Sequence, residues 1–595
     1  MINHVHKYQM GIIGNCSYIS YIDIHANVKW LCMPRFDSSF LFGSLLDSEK
    51  GGTFSISPKD SLYKSKQYYI ENTNILCTEF ECEDGRFRVT DFAPRFYQLE
   101  RYFKPLMLLR KIEPLEGRPI IKVICKPVGD YGETKPETLV GSNHLRFLNI
   151  GSHVRLTTDI SLNNILDEKT FVLSQSQYLA FSYELPLESG LESTYESFYK
   201  KTKDYWQNWV KTTSIPSIYQ KEMIRSALVL KIHQYEDTGG IIASGSMSLP
   251  EFAQSGRNWD YRYCWMRDTF YSLYALNSTG HFEESQKYFQ YIENIIASEK
   301  THIQPLYSVT GEKDIYEKIL DLRGYMDNNI PVRLGNAACH HIQNDVYGQV
   351  LVSLMPLYTD KRLTINPKAR SVDLIYFLLD KIEETMFEPD AGLWEFRNKK
   401  QLHCYTFLFH WAGSRAALKI GQELNNEQLI KKAGNLIMIS KAQIEKCYNE
   451  EKQAYTQAIG GDNLDASCLK LISMGYLDAD SDRAKKHLEA LEAELKTEEG
   501  YFYRYRHNDD FGIPETTFMV CAFWYAEALA CVGREKEALM VLENLLKTSN
   551  HLGLLSEDIG IDGSQWGNFP QTYSHVGLMN AVIRISRKLD KPLFD

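Results

Sequence analysis

Near Tyr195 the sequence changes from short strand-like segments to long helical ones, and this change constrains the fold more than any other feature. Up to that point the chain has short segments rich in Val, Ile, Phe and Thr, such as "GGTFSISP" and "ILCTEFECEDGRFRVTDFAP", separated by Gly, Pro and Asp-Gly turns. From Ser217 onward, long stretches such as "TTFMVCAFWYAEALACVGREKEALMVLENLLK" carry apolar residues at three- and four-residue spacing. Because 595 residues are too many for one core, we predict two domains, an antiparallel β-sandwich followed by a helical domain.

The segment between these two regions, "ESTYESFYKKTKDYWQNWVKTT", has helical spacing and is predicted to be a connecting helix. We therefore predict a β-sandwich domain over residues 1–195, a linker helix over residues 196–216 and a helical domain over residues 217–595. Within the last region, aromatic runs with a wide apolar face are followed by more amphipathic stretches. This alternation indicates inner helices with two buried faces and outer helices with one.

Charge and composition exclude several classes of partner. The formal net charge of −10 argues against a nucleic acid or an anionic membrane surface. The first residues lack the pattern of a signal peptide, and no apolar run reaches the roughly 18 residues of a membrane-spanning helix. The 12 cysteines are scattered without a C-x-x-C pair, which is typical of reduced thiols. We expect a cytoplasmic protein that binds neither nucleic acid nor membrane.

The densest group of polar and aromatic residues is "RNWDYRYCWMRD", residues 257–268. Arg267 and Asp268 stand at the start of an apolar helical stretch, where such a pair can donate to and accept from neighbouring hydroxyls of one sugar. Tyr261 and Trp265 could form the walls around that sugar. The other interpretation of the same residues is a helix cap at Asp268 with a buried Arg–Asp ion pair.

Two glutamates have the surroundings of catalytic carboxylates. Glu395, in "AGLWEFRNKK", is either an exposed side chain or a general acid in an apolar pocket that raises its pKa. Glu557, in "LLSEDIG", is either part of a solvated acidic loop or a general base at the mouth of a helical barrel. They are 162 residues apart in sequence (557 − 395), so only the fold can bring them together.

Several motifs together resemble the glucoamylase family of glycoside hydrolases, family 15, in its two-domain prokaryotic form. They stand in the family's order along the chain: "RNWDYRYCWMRD", "RLGNAACHHIQNDVYGQV", "GLWEFR", "YRYRHNDDFG" and "QWGNFPQTYSHVGLMNA". The N-terminal "VTDFAPR" is similar to the family's leading β-domain. The resemblance implies a β-sandwich, a linker helix and an (α/α)6 barrel with the site at the barrel mouth.

The resemblance also implies residue roles. Glu395 matches the family's general acid and Glu557 its general base. Arg267 and Asp268 match the pair that holds the non-reducing glucose. The remaining matches are aromatic or basic residues around the bound sugar: Tyr261, Trp265, Trp394, Arg504 and Tyr573, the last standing where fungal members carry a tryptophan.

The implied activity is an inverting, exo-acting hydrolysis that releases glucose from the non-reducing ends of α-glucans or malto-oligosaccharides. A trehalase or an α-1,6-glucosidase with the same two glutamates is the alternative, and a non-catalytic glucan-sensing module is a third possibility. An inverting enzyme needs its two carboxyls roughly 6.5–9.5 Å apart, to leave room for a water molecule. We expect no cofactor and no metal ion, and either a monomer or a homodimer.

Overall fold

The computed structural model describes residues 5–299, 302–362 and 372–589. Its first part is built from antiparallel strands. They are β1 (Met10–Gly14), β2 (Ile19–Asp23), β3 (Val28–Cys32), β4 (Phe40–Phe42), β5 (Thr53–Pro58), β6 (Lys64–Tyr69), β7 (Leu76–Cys82), β8 (Gly85–Phe92), β9 (Phe96–Gln98), β10 (Arg101–Phe103), β11 (Met107–Gly117), β12 (Ile120–Lys126), β13 (Glu137–Val140), β14 (His144–Ile150), β15 (Ser152–Thr158), β16 (Phe171–Val172) and β17 (Gln177–Tyr183).

Three of the sheets share one apolar core. The largest has eight strands in the order β13-β14-β15-β17-β11-β8-β7-β6, beside the four-stranded sheet β1-β2-β3-β4 and the three-stranded sheet β16-β12-β5. Phe42, Phe54 and Phe181 come one from each sheet. The Phe181 ring centroid lies 5.2 Å from that of Phe42 and 5.8 Å from that of Phe54. Inward-facing aromatic side chains thus join the sheets, and the predicted antiparallel β-sandwich is confirmed.

Helices dominate the rest of the chain. They are α1 (Leu162–Leu166), which lies within the β region, α2 (Leu191–Lys211), α3 (Gln220–His233), α4 (Met266–Ser278), α5 (Phe282–Ser298), α6 (Asp345–Thr359), α7 (Val372–Thr385), α8 (Cys404–Glu423), α9 (Glu427–Glu445), α10 (Lys470–Ser473), α11 (Asp482–Leu495), α12 (Met519–Cys531), α13 (Glu535–Lys547) and α14 (Thr572–Leu589). The predicted domain limits near residues 195 and 216 stay a prediction, with β17 ending at Tyr183 and α3 beginning at Gln220.

In the part of the chain that the structure describes, six inner helices form a closed ring. Helix α4 contacts α6, α6 contacts α8, α12 contacts α14, and α14 returns to α4. Between α8 and α12 the ring is completed by α10 and the 3₁₀ turn before it, Ala466–Leu469. Helices α5, α7, α9, α11 and α13 each follow an inner helix and bury one face, and α3 packs on α14. The predicted barrel of inner and outer helices is confirmed.

The segments that lead into the inner helices converge at one end of the ring, which we call the mouth. Short strands shape them: β18 (Met247–Pro250), β19 (Asn258–Asp260), β20 (Cys264–Trp265), β21 (Leu306–Tyr307), β22 (Lys318–Leu320), β23 (Val332–Leu334), β24 (Tyr448–Asn449), β25 (Ala454–Tyr455), β26 (Thr517–Phe518), β27 (Asp558–Ile559) and β28 (Gln565–Trp566). Among the described residues, no helix is both long and apolar enough to cross a membrane.

The N-terminal segment makes hydrogen bonds to the loop that carries Glu557. The Tyr8 hydroxyl donates to the carbonyl of Gly567 at 2.9 Å, and Asn550 donates to the carbonyls of Tyr8 and Met10, each at 2.9 Å. The loop that carries Glu557 is therefore fixed from the side of the β region as well as from the barrel.

Candidate active site

One pocket at the barrel mouth is lined by all nine residues that the sequence singled out: Tyr261, Trp265, Arg267, Asp268, Trp394, Glu395, Arg504, Glu557 and Tyr573. They come from five separate segments of the chain. The fold therefore brings the two glutamates into one pocket, as the sequence required but could not show.

The start of α4 supplies an arginine and an aspartate. Arg267 and Asp268 lie in its first turn, with the Arg267 Nε 3.4 Å from Asp268 Oδ1. Asp268 is buried, and its burial raises the pKa of the carboxyl to about 6, against the opposing effect of Arg267. The predicted Arg–Asp ion pair is present, but Asp268 does not cap the helix, whose N-cap residue is Trp265. Sugar binding by the pair, which lines the pocket, stays a prediction.

Glu395 lies in the loop between α7 and α8, on a strained backbone. Its φ of 62° is in the left-handed region, which side chains other than glycine seldom adopt and which is common at functional sites. Gly392, three residues earlier, has a φ of 67°, and a Cβ there would lie 2.6 Å from the His403 ring. The tight turn that presents Glu395 thus depends on glycine at position 392.

The pocket around Glu395 has apolar walls, but the carboxylate itself is held by polar groups. Its Oε1 accepts the indole N–H of Trp265 at 2.7 Å, and an Arg267 N–H and the Gln343 amide at 3.3 Å each. Its apolar neighbours in sequence line the same pocket: Trp394, whose indole N–H donates to Asp465 at 2.7 Å, and Phe396, which is buried. Glu395 therefore combines a polar contact shell from residues remote in sequence with apolar neighbours on the wall of the same pocket.

Glu557 is the more buried of the two carboxylates, with 1% of its side chain exposed. Its Oε2 accepts the backbone N–H of Asn568 at 2.9 Å. Its Oε1 has no hydrogen-bond partner within the described residues. Burial, and next the charge of nearby Glu251, raise the pKa of Glu557. A carboxylate with one tethered and one unused oxygen in a pocket is equipped to accept a proton.

Tyr261 lies close to both glutamates. Its half-buried side chain lies near the carboxylates of both Glu557 and Glu395, and its pKa is raised well above the usual value, first by desolvation and then by these charges. Its ring centroid lies 5.2 Å from that of Trp265, whose N–H is bonded to Glu395. Tyr573 lies deeper, buried, with its ring centroid 5.1 Å from that of Tyr271.

A second group of pocket residues was missed from the sequence. Glu251, just after β18, is 3% exposed, and its Oε2 lies 2.5 Å from an Arg504 nitrogen. Its Oε1 accepts the Trp259 N–H at 3.1 Å. Arg257 makes a bidentate ion pair with Asp509, with nitrogen–oxygen distances of 2.6 and 2.8 Å. The sequence "SLPE" contained a signal for Glu251, because an acidic residue there directly follows an apolar segment. Glu251 was nevertheless not selected as a candidate site residue.

Glu251, Glu557 and Asp558 bring carboxylate oxygens within 4.8 Å of one another, an arrangement that could hold a metal ion. Burial raises the pKa of Asp558 well above its usual value, and the charge of Glu251 raises it further. Arg504 and Arg257 already compensate Glu251 by ion pairs at 2.5 and 4.0 Å. The group therefore fits a buried network of acids and arginines without an additional cation.

Paired carboxylates, an Arg–Asp pair and aromatic walls at the mouth of a helical barrel are the elements of a sugar-cleaving site. The family model "Glycosyl hydrolases family 15" matches residues 217–583, and the model "Trehalase-like, N-terminal" matches residues 4–148. The chain therefore belongs to family 15 of the glycoside hydrolases and is a glycoside hydrolase.

Relatives and solved structures agree with this assignment. A protein named "Trehalase" from Thermoplasma volcanium is 32% identical over 603 aligned residues, which cover 98% of this chain and 93% of that protein. "Trehalase" from Mycolicibacterium smegmatis is 29% identical, with 97% and 91% covered. The crystal structure of a bacterial glucoamylase complexed with acarbose matches the fold with a TM-score of 0.69 at 14% identity, with 98% and 94% covered. The predicted family and (α/α)6 barrel are confirmed.

Proposed function

We propose that this glycoside hydrolase is a trehalase, which hydrolyses α,α-trehalose to two molecules of glucose. The observation that carries the choice of substrate is the likeness to proteins named trehalase, which extends over nearly the whole chain. It favours the alternative that the sequence left open over the release of glucose from α-glucans. The likeness to glucoamylase at 14% identity supports the fold alone.

The pocket offers two polar networks, which suits a disaccharide of two similar rings. One network contains Arg267, Asp268, Gln343 and Glu395. The other contains Glu251, Arg257, Trp259, Arg504 and Asp509. Each has an arginine and carboxylates that can bind neighbouring hydroxyls. We assign the first network to the glucose that is attacked and the second to the glucose that leaves.

Glu395 acts as the general acid. Its Oε1 is held by three donors, while its Oε2 accepts no hydrogen bond from the described residues. Oε2 is thus the oxygen that can carry a proton to the glycosidic oxygen. Protonation of that oxygen turns the second glucose into a neutral leaving group.

Glu557 acts as the general base. Its unused Oε1 accepts a proton from a water molecule, and that water attacks the anomeric carbon from the face opposite the leaving glucose. The raised pKa of Glu557 makes it a stronger base toward water than an ordinary carboxylate. Trp265 and Tyr261 form the wall between the two carboxylates and exclude other water.

A substrate panel tests the proposal. Glucose release would be measured from α,α-trehalose, maltose, maltotriose, isomaltose and soluble starch, with the Glu395→Gln variant as control for contaminating activity. We expect kcat/KM for trehalose to exceed that for each of the others by roughly 100-fold or more. A preference for maltotriose or starch would instead identify a glucan 1,4-α-glucosidase, and a preference for isomaltose an α-1,6-glucosidase.

A further inference from the structure

A second cavity lies at the end of the barrel opposite the mouth. It has a volume of about 660 Å³ and is lined by residues from all six inner helices. The site residues lie at the beginnings of these helices, whereas the cavity is lined by later parts, such as Asn580 and Arg584 on α14. We call it the far cavity.

One of the inner helices that line the far cavity is short. Helix α10 has 4 residues, whereas the other five inner helices have 13 to 20. The chain after α10, from Met474 to Ala479, runs along the cavity wall instead of continuing as a helix.

Three buried polar groups in this cavity lack a partner. Within the described part of the chain, no hydrogen bond reaches Glu527 Oε1, Asn580 Oδ1 or Ser473 Oγ. Their residues are 4%, 6% and 8% exposed, and all three line the cavity. Two of these atoms are acceptors only, so either water or the hydroxyl groups of a ligand would satisfy them.

The cavity wall is also basic. Arg415, Lys419, Arg584 and Lys588 line it together with one further acid, Asp478, and none of the four forms an ion pair with a described carboxylate, although Arg584 donates to the Ser473 carbonyl at 3.1 Å. A fifth cation, Lys470, is paired with Glu527 at 3.2 Å. The wall further includes Trp411, over whose ring the Arg415 guanidinium lies at 4.6 Å. Unpaired cations around a polar cavity attract an anion.

Two simpler explanations do not account for this arrangement. Basic residues stabilise the last turn of a helix, which explains Lys588, but Arg415 lies two turns before α8 ends at Glu423. Water can satisfy buried polar atoms, but it gives no reason for a group of unpaired cations beside them.

We propose that the far cavity binds a hydroxylated oxyanion of the hexose phosphate class. The phosphate lies among Arg415, Lys419 and the other cations of the wall, and the sugar hydroxyls donate to Glu527 and Asn580. Two side chains in contact, Tyr271 and Tyr573, separate this ligand from the catalytic pocket. Tyr271 lines the far cavity, its ring lies 5.1 Å from that of the pocket residue Tyr573, and Lys470 lies 5.3 Å from the Tyr271 ring centroid. The ligand therefore acts on turnover without occupying the substrate site.

Isothermal titration of the full-length protein with glucose 6-phosphate, with glucose and with inorganic phosphate tests this proposal. We expect saturable binding of glucose 6-phosphate that is tighter than that of either component. The double variant R415A/K419A should weaken it by about tenfold or more, because two charge-assisted contacts are lost. Both side chains are exposed, so the fold should be retained, and an unchanged melting temperature checks this.

The matched control is K441A/K485A, which removes two positive charges from exposed positions on outer helices α9 and α11. It should leave the affinity unchanged. Absence of saturable binding, equal weakening by both double variants, or an unchanged affinity of R415A/K419A would overturn the proposal. So would purely competitive inhibition of hydrolysis by glucose 6-phosphate, since this would place the ligand in the catalytic pocket.

Discussion

Glu251 and Glu557 lie 306 residues apart in the chain (557 − 251), and the fold brings their carboxylate oxygens within 4.8 Å of each other. The proximity of a second negative charge is one of the causes that raise the pKa of Glu557. The pKa of the proposed base therefore depends on Glu251, a residue that is not required to contact the anomeric carbon of the substrate.

The variant Glu251→Gln should therefore shift the pH profile. Hydrolysis requires ionised Glu557, so kcat/KM rises with pH through the pKa of that group. Removing the Glu251 charge lowers this pKa, and the freed charge of Arg504 lowers it further. We expect the acidic limb of the kcat/KM profile to move to lower pH, by roughly half a unit or more. A limb that stays in place or moves to higher pH would show that Glu251 does not tune the base.

The raised pKa of Glu557 also has a consequence for stability. Between the unfolded pKa, about 4.3, and the raised folded value, the folded protein binds more protons at this site than the unfolded chain. The contribution of Glu557 to the free energy of unfolding therefore falls as the pH rises through this window. Glutamine does not titrate and does not lose this contribution.

We accordingly expect Glu557→Gln to raise the melting temperature relative to the unsubstituted protein by roughly 1–2 °C more at about pH 8 than at about pH 5. Thermal unfolding of both proteins at the two pH values measures this difference. An equal difference at both pH values, or one of opposite sign, would contradict the raised pKa. The same variant should lose hydrolysis. Glu557 therefore lowers the stability of the folded protein at high pH but is needed for activity.

The variant Glu395→Gln should lose most hydrolysis while it still binds sugar. Glutamine keeps an oxygen that can accept from Trp265 and Arg267 but has no proton to donate to the glycosidic oxygen. The expected loss in kcat is on the order of 10²–10⁴. Single-turnover kinetics with trehalose measure the step directly. Glu388→Gln, an exposed change in the same loop region, is the matched control and should keep full activity. Near-normal turnover of Glu395→Gln would remove this residue from the mechanism.

Much of the fold could be predicted from the sequence because both halves rely on local periodicity. Strand-like segments with Asp-Gly turns and helices with three- and four-residue spacing each show the face they bury. Residue types and context singled out six of the nine site residues, but only the family resemblance decided between their interpretations and added Trp394, Arg504 and Tyr573. Arg267 and Asp268 show this, because they form an ion pair while lining the pocket.

The surroundings of Glu395 could not be predicted, because its hydrogen-bond donors come from other segments of the chain. At a φ of 62°, the Glu395 carboxylate accepts from Trp265 and Arg267, at the start of α4, and from Gln343, all of which are remote in sequence. Glu251 was missed for a related reason. Its partners Arg504 and Trp259 come from different segments, so no local pattern distinguishes it from a surface acid.

The stereochemistry of the first products tests the central claim most directly, because it depends on both glutamates and on the substrate. If Glu557 activates water and Glu395 protonates the leaving oxygen, hydrolysis of α,α-trehalose inverts one anomeric centre and leaves the other unchanged. Proton NMR of the anomeric signals, read before mutarotation, should then show α- and β-glucose in equal initial amounts. The appearance of α-glucose alone would mean that Glu557 attacks the carbon directly or takes no part. The absence of glucose from trehalose would contradict the proposed substrate.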